Sequence, residues 1–476
     1  MHILQIDSFL RTIIISMLLH TSAFALADDY VVHINAALTR IEVTARFNGY
    51  PASINARAHD AGDFLISADD CDNGKPLRKR GRHLLLPEEG IRCLHYVVDA
   101  ARAAAAEPLN ESLAADNRLI RPAQWFWRPP LQDPAVINVR FDTEPGDKVA
   151  VPWKLVHAGT QTYEPEVSPQ SGSAPAAFGN LDVRELKVNG AVLRIVLLKG
   201  KSGYDPDALT GWIQQTTRNL LHAYGRFPNP QFSVFIIPVV DRSRNSDAVI
   251  FGRVVRDGGE AVELLVNPAS TIERLTRDWT ATHEFSHLML PYVARDERWI
   301  SEGFAQYYQN VLLARAGQYT PQYAWQKLFE GFERGRHSMP NASPDEAAAS
   351  DSRNARMKVY WSGAAIALLA DVELRQHSGS AVSLDTVLGN FQLCCLPSNR
   401  TWSGAELFAK LDTLIAEPIF SPLYERYADT SGFPDVDGLL QELGVRVRDS
   451  TVALSDEAAL AAIRRQIMTP RDPGEY

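Results

Sequence analysis

Two histidines and two glutamates lie near the middle of the chain at spacings that suit a hydrolytic metal site. The pentapeptide 283–287, His-Glu-Phe-Ser-His, places its two imidazoles four residues apart. On a helix, such side chains lie about one turn apart on the same face. This spacing suits two nitrogen ligands of a tetrahedral Zn2+, with Glu284 beside an open coordination position. Glu302, fifteen residues after His287, could supply a third ligand and leave the fourth position to water.

The same residue types predict how a peptide bond would be cleaved. Zinc held by His283, His287 and a carboxylate lowers the pKa of its bound water towards neutrality. Glu284 could take a proton from that water as it attacks a carbonyl, and then hand it to the leaving amine. Asp296 and Glu297 are competing third ligands. We expect Asp296 and Glu297 to lie on an exposed turn, and we therefore prefer Glu302 as the third ligand.

Two helices would have to position these side chains. The pattern predicts one helix over about residues 276–290, which Pro291 ends. A second helix is predicted to begin with Ser301 as its N-cap and to run to Gly317. An antiparallel pair joined by a short loop would return Glu302 to the histidines.

A small sheet is predicted ahead of the motif. Residues 188–198, 232–240 and 261–266 have the composition of strands. A helix at about 205–224 should begin at Asp205-Pro206, an N-cap followed by proline. After Glu302 the pattern is helical to the end of the chain, apart from loops.

The N-terminal part has a different pattern. Residues 30–98 contain short alternating runs separated by Gly, Pro, Asn and Asp, which is typical of an antiparallel β-sandwich. Trp125-Phe126-Trp127 could form a ligand platform, but we interpret it as core filling between sheets. Residues 166–180 are rich in Ser, Pro, Ala and Gly and are the best candidate for a linker.

Composition limits the class of protein. A chain of 476 residues predicts two or three domains, and 45% hydrophobic with 22% charged residues is typical of a globular protein. The net charge of −9 argues against nucleic-acid binding. Cys71 and Cys93 could close a disulfide ring, whereas the adjacent Cys394 and Cys395 would rarely bridge without strain.

The first residues indicate export. Arg11 precedes the apolar run 13–19, and Ala25-Leu26-Ala27 offers a small-residue cleavage site. The run is too short to be a permanent membrane span. We therefore predict a signal peptide at 1–27 and a mature protein in the periplasm or the medium.

The central residues resemble the thermolysin-like zinc peptidases whose third ligand is glutamate. Among these the chain is most similar to the glycyl aminopeptidase family, which is related to the alanyl aminopeptidases. The similarity covers roughly residues 180–440 and includes four segments: Tyr224-Gly225-Arg226-Phe227-Pro228, the motif at 283–287, Glu302-Gly303-Phe304-Ala305 and Tyr360-Trp361-Ser362-Gly363. The helix at 364–375 and the segment 383–388 that follows it also resemble the family.

The resemblance implies a role for each matching residue. His283, His287 and Glu302 would bind Zn2+, and Glu284 would be the general base. Tyr360 matches a tyrosine whose phenol hydrogen-bonds the tetrahedral oxyanion, and such a donor stabilises the transition state. Without the resemblance, Tyr360 would be interpreted as a packing residue.

Three departures from the family pattern affect specificity. The spacing from His287 to Glu302 is shorter than in the alanyl aminopeptidases, and no PDZ-like domain follows. The Gly-x-Met-Glu-Asn segment, which lines the substrate strand and can hold a free amino terminus, is missing. Its nearest counterpart is 257–263, where Glu260 could approach a substrate amine, although we favour a plain turn into a strand.

We therefore predict an α+β chain with four parts after its signal peptide. These are a β-sandwich-like N-terminal domain at 28–165, a linker at 166–180, a thermolysin-like zinc domain at 181–320 and a helical C-terminal part at 321–476. The predicted activity is that of a zinc metallopeptidase acting on peptides or proteins, with aminopeptidase action favoured over endopeptidase action. The alternative from another class is a periplasmic binding or scaffold protein that keeps the fold without turnover. We predict no permanent membrane span.

Overall fold

The computed structural model describes residues 27–130, 137–170, 172–201, 205–240 and 247–470. The predicted signal peptide at 1–27 lies almost entirely outside these ranges, so export stays a prediction. Among the described residues, no helix combines the length and apolar character that crossing a membrane requires. The chain has the predicted α+β architecture, with sheets in the N-terminal part and mostly helices in the C-terminal part.

Two main sheets form the N-terminal region. Its elements are β1 Asp28–Ile34, β2 Arg40–Arg46, α1 Ala61–Phe64, β3 Leu65–Asp70, β4 Lys75–Pro76, β5 Arg78–Arg80, β6 His83–Leu85, β7 Cys93–Asp99, α2 Ala100–Ala106, β8 Asn117–Leu119, α3 Pro122–Trp125, β9 Ile137–Asp142, β10 Lys148–Ala150, β11 Lys154–His157, β12 Thr162–Glu164 and β13 Ala177–Gly179. The larger sheet has the order β11-β12-β9-β1-β2-β7-β3-β4, and the smaller has the order β10-β13-β8. The pairing of β1 with β9 is parallel, so the larger sheet is not purely antiparallel.

The N-terminal core is built from alternating strand residues and aromatic rings. Along β2, every second side chain is buried, as the period of a half-buried strand requires. Trp125, Phe126 and Trp127 are 0%, 4% and 0% exposed, which confirms that they fill the core. Cys71 and Cys93 form a disulfide.

A five-stranded sheet and one long helix lie ahead of the motif. They comprise β14 Asp182–Val188, β15 Ala191–Leu197, α4 Pro206–Tyr224, β16 Gln231–Pro238, β17 Val249–Arg256 and β18 Glu260–Val266, with strand order β14-β15-β16-β18-β17. Asp205 caps α4 by accepting from the backbone N–H groups of residues 207 and 208, as predicted. Two of these strands, β14 and β17, were not predicted from the sequence. The second omission matters because β17 is the edge strand beside the motif.

The predicted single helix over 276–290 is wrong. The structure has α5 Ile272–Arg277 and α6 Thr280–Ser286, followed by a short 3-10 turn His287–Met289. The break occurs at Asp278, whose carboxylate accepts hydrogen bonds from the backbone of Val249 (3.2 Å) and Thr280 (2.8 Å). A non-local contact to β17 therefore outweighs the local helical pattern.

The next helix, α7 Trp299–Arg315, begins earlier than predicted. A 3-10 turn at Arg295–Glu297 leads directly into it, and Arg298 occupies the N-cap position. Ser301 is therefore inside the helix rather than its cap, and its hydroxyl donates to the carbonyl of Arg298.

The rest of the chain is helical, with one exception. It comprises α8 Pro321–His337, α9 Pro344–Ala349, α10 Ala355–His377, α11 Leu384–Cys395, α12 Gly404–Asp412, α13 Phe420–Tyr427, α14 Asp437–Glu442, β19 Val445–Arg448, β20 Thr451–Leu454 and α15 Ala461–Met468. The hairpin of β19 and β20 corrects the expectation of helices to the end. Its turn uses Asp449 and Ser450, both at positive φ, a conformation that suits a tight hairpin. Contrary to expectation, Cys394 and Cys395 also form a disulfide.

The segment predicted as a linker is packed against the turn after β17. The backbone N–H groups of Gly172, Ser173 and Ala174 all donate to one carboxylate oxygen of Asp257, at 2.7 to 2.9 Å. Gln170 accepts from the backbone of Arg256 at 2.8 Å. These bonds connect the N-terminal region to the sheet that borders the motif.

Candidate metal centre

The motif helix places both histidines on one buried face. His283 lies within α6 and His287 begins the 3-10 turn that follows. Their ring centroids are 4.9 Å apart and the rings are nearly perpendicular. His283 is only 2% exposed. The predicted spacing therefore brings two imidazole nitrogens together in a shielded position.

The first turn of α7 brings Glu302 to the same point. Its Oε2 atom is 3.4 Å from Nε2 of His283 and 3.4 Å from Nε2 of His287. Within the described residues, these three side chains form a group whose ligand atoms all lie within 4.8 Å of one another. Glu297 faces elsewhere, since it accepts from the Gly404 backbone and from the Tyr424 hydroxyl.

Two of the three separations between the ligand atoms match those around a tetrahedral zinc ion. Ligands about 2.1 Å from such an ion are separated by about 3.4 Å, which matches the two N–O distances. The Glu302 Oε2 atom is buried yet has no hydrogen-bond partner in the described structure. A buried carboxylate oxygen without a partner is costly unless a cation or donor satisfies it. Two imidazoles and a carboxylate are also a donor set that zinc prefers.

The electrostatics of Glu302 favour its ionised form. Burial raises the pKa of this carboxyl, but the adjacent His287 and His283 outweigh that effect and hold its pKa well below the usual range. An ionised carboxylate is the form that ligates a metal.

Glu284 lies beside the three ligand atoms on the side of β17. A Cβ atom added to Gly252 of β17 would lie 2.5 Å from its Cγ atom, so the strand backbone contacts this side chain directly. Burial raises the pKa of Glu284 to about 7, His283 lowers it and Glu302 raises it.

Tyr360 reaches the site from α10. Its ring stacks on His283, with centroids 5.8 Å apart and planes 21° apart. Burial raises its pKa strongly, and the carboxylates of Glu302 and Glu284 raise it further, so its hydroxyl keeps its proton. The helix begins at Ala355, which places Tyr360 in its second turn.

A glycine contact allows α10 to approach α7 this closely. A Cβ atom on Gly303 would clash with the backbone of Gly363, and one on Gly363 would clash with the carbonyl of Trp299. Both glycines were part of the motifs on which the resemblance rests. Their role is to let Glu302 and Tyr360 meet at one site.

Glu260, suggested as a contact for a substrate amine, already has two partners within the protein. It pairs with Arg256 at 2.6 Å and accepts from the amide of Asn229 at 2.5 Å. Residues 257–259 form the turn from β17 into β18, as the plain-turn interpretation expected. Arg256 in turn donates to the carbonyls of His287 and Leu290, at 3.0 Å each, and so supports the end of the motif segment.

A cleft of about 810 Å³ opens from Glu284, His283 and Tyr360. Its lining includes three polar residues of α7 that sequence reasoning missed: Gln306, Gln309 and Asn310. Gln309 Oε1 and Asn310 Oδ1 are buried and have no hydrogen-bond partner in the described structure. Positions 4, 7 and 8 residues after Glu302 share its helix face, which is the signal that could have identified them.

Comparison with a protein-family model supports the resemblance. Residues 292–366 match the family described as M61 glycyl aminopeptidase. This stretch contains Glu302 and Tyr360 and ends just after the Gly363 contact. The predicted similarity to the glycyl aminopeptidases is therefore confirmed. No curated protein sequence matches the chain significantly.

Solved structures share the fold at low sequence identity. An aminopeptidase N family protein from Idiomarina loihiensis aligns with a TM-score of 0.65 and 14% identity, over 88% of this chain and 79% of that chain. An M1 zinc metallopeptidase from Deinococcus radiodurans, in a mutant form bound to the substrate Tyr-Ser-Ala, aligns with a TM-score of 0.52 and 15% identity, over 86% and 95% of the two chains. At such identities these likenesses establish the fold alone.

Proposed function

We propose that this protein is a zinc-dependent peptidase. Its residues 292–366 match the M61 glycyl aminopeptidases, and its fold resembles that of an aminopeptidase N family protein. One observation carries the proposal. The Oε2 atom of Glu302 lies 3.4 Å from both His283 Nε2 and His287 Nε2 and has no other partner in the described residues.

Each residue of the site has a role in hydrolysis. His283, His287 and Glu302 hold the metal, which when bound lowers the pKa of a coordinated water and polarises the carbonyl. Glu284 accepts the proton of the attacking water and delivers it to the leaving nitrogen. The Tyr360 hydroxyl donates to the oxygen that becomes negative in the transition state.

Aminopeptidase action is our preferred form of this activity. The buried amide oxygens of Gln309 and Asn310 line the cleft without partners, so they can accept hydrogen bonds from a substrate α-ammonium group. The edge of β17 beside Glu284 suits an extended peptide, since an edge strand offers unpaired backbone groups. The name of the matching family and those of the structural neighbours agree with this proposal.

Metal analysis tests the zinc site. Purified protein should contain about one zinc ion per chain, and a chelator should abolish peptide hydrolysis until zinc is restored. Glu284→Gln should retain the metal and lose nearly all turnover. Protein without zinc affinity would contradict the proposal, as would unchanged turnover in Glu284→Gln.

A peptide-library digest separates the remaining alternatives. Free and N-acetylated peptides of the same sequences are incubated with zinc-loaded protein, and the first bond cleaved is identified. Cleavage confined to free amino termini establishes an aminopeptidase. Internal cleavage of acetylated peptides establishes an endopeptidase. Zinc binding with no cleavage of any peptide would favour the binding or scaffold alternative.

The site of action remains a separate proposal. The N-terminal segment 1–27 has the charge, apolar run and small residues of a signal peptide. We propose that the enzyme acts in the periplasm or outside the cell on peptides it meets there.

A further inference from the structure

The cleft beside Glu284 has a basic wall. Among its described lining residues, Asp247 is the one carboxylate other than Glu284. Cationic side chains outnumber these carboxylates: Arg277, Lys327, Arg334 and Arg356. A cleft lined mainly by one sign of charge attracts ligands of the other sign.

Two of these cations share one partner. Lys327 Nζ is 3.3 Å and Arg334 Nη1 is 3.9 Å from the same carboxylate oxygen of Glu330. One carboxylate offsets only one of the two positive charges. This part of α8 therefore contributes a net positive charge to the cleft.

Arg356 lines the cleft from the same helix as Tyr360. It lies on α10 four residues before Tyr360, which corresponds to about 6 Å along the helix. Its side chain is exposed, and within the described ranges it makes no ion pair with a carboxylate. Both residues line the cleft, and the positive charge of Arg356 lowers the pKa of Tyr360.

We propose that the cleft selects peptides with an acidic side chain beside the bond that is cleaved, and that Arg356 is the main contact for that carboxylate. Lys327 and Arg334 add attraction from the α8 side. The inference rests on the proposed peptidase function and specifies its substrate class. A lysine at the same position would be repelled, and a glutamine would gain only a neutral hydrogen bond.

The first experiment compares matched peptides with zinc-loaded wild-type protein. Glu, Gln or Lys is placed in turn at each of the first four positions of a peptide with a free amino terminus, because aminopeptidase cleavage leaves one residue before the cleaved bond. At one or more positions, Glu should raise kcat/KM over Gln by about fivefold to tenfold, as one charge-assisted hydrogen bond in an open cleft supports. Lys should be the poorest residue there. The preference should shrink at high ionic strength, because salt screens exposed charges.

The second experiment assigns the preference to Arg356. Arg356→Glu should abolish or reverse the preference for Glu over Lys. The matched control is Arg353→Glu, which makes the same charge change at an exposed arginine three residues earlier that is not among the lining residues of the cleft. The control should keep the wild-type ranking of the three peptides.

Binding keeps this inference separate from the catalytic proposal. Zinc-loaded Glu284→Gln is titrated with fluorescent versions of the Glu and Lys peptides. Tighter binding of the Glu peptide, lost in the added Arg356→Glu background, would support the inference even if no peptide were hydrolysed. Hydrolysis without any Glu preference would overturn the inference and leave the peptidase function standing. Equal binding of the Glu and Lys peptides would also overturn it.

Discussion

Gly252 of β17 lies in direct contact with the side chain of Glu284. A methyl group at this position would come within 2.5 Å of Cγ and 2.9 Å of Oε1 of the glutamate. Tight packing of this kind leaves no space for even one added carbon. The edge strand therefore fixes the position of the proposed general base from one side.

Gly252→Ala should lower activity more than stability. The added methyl group displaces the Glu284 carboxylate, and a displacement of about 1 Å can cost about 100-fold in rate. Metal content should be unchanged, because the atoms nearest to the added methyl group all belong to Glu284, which is not a proposed ligand. Zinc analysis, kcat and denaturant unfolding measured on one preparation check the prediction. Gly211→Ala, at an open position in α4, is the control and should remain fully active.

Tyr360→Phe should reduce kcat while leaving zinc content unchanged. Loss of a donor to the developing oxyanion costs about 100-fold or more in kcat. The ring that stacks on His283 is retained, so the fold and the metal site should persist. Steady-state kinetics with zinc analysis provide the measurement. A variant with wild-type kcat would return Tyr360 to a packing role.

Gly363→Ala should destabilise the protein. The new methyl group would collide with the Trp299 carbonyl and with Gly303, and neither is a flexible side-chain end that can move aside. Overpacking of this kind typically costs about 1–3 kcal/mol. Denaturant unfolding measures the loss, and Gly438→Ala in α14, which meets no atom within 4 Å, serves as the control. Equal stability of the two variants would contradict the close helix contact.

Lys358 should make stability depend on pH. It is fully buried beneath the ring of Phe433 and donates to the Gly432 carbonyl. Burial lowers the pKa of Lys358 from 10.5 to about 8. Between these values the unfolded chain binds more protons than the folded one, so the free energy of unfolding should rise with pH over that window.

Lys358→Met tests this dependence. The variant should lack the part of the rise that begins near pH 8, whereas Lys187→Met, at an exposed lysine of β14, should retain it. Urea unfolding at several pH values gives the comparison. An identical pH slope in Lys358→Met and wild type would show that the lysine is not held in a low-dielectric position.

Local chemistry explains what the sequence could predict of the site. His283 and His287 meet because four residues make about one helical turn, a relation that needs no tertiary information. Glu302 can reach the histidines only if a second helix returns to the first. The structure has this arrangement, although the second helix begins before Ser301, its predicted cap. Gln309 and Asn310 were not predicted as site residues, although both lie on the helix face that Glu302 occupies.

The misses have non-local causes. The helix over 276–290 breaks at Asp278 because its carboxylate bonds the backbone of Val249, which is distant in sequence. The edge strand β17 contains a glycine and two arginines, and its exposed Phe251 disturbs the usual alternation. This segment is extended because it pairs with the neighbouring strand β18 and packs against α6.

The end of β17 has a consequence for how such proteins can be divided. Arg256 supports the carbonyls of His287 and Leu290, while its neighbour Asp257 binds three backbone N–H groups at 172–174. Two adjacent residues thus bind different parts of the molecule: Arg256 binds the motif segment, and Asp257 binds the N-terminal half. A fragment cut free at residue 181 would leave Asp257 without those three donors, right beside the arginine that supports the motif segment. The two halves are therefore not interchangeable modules, and recombining either one with a foreign partner would first require this junction to be rebuilt.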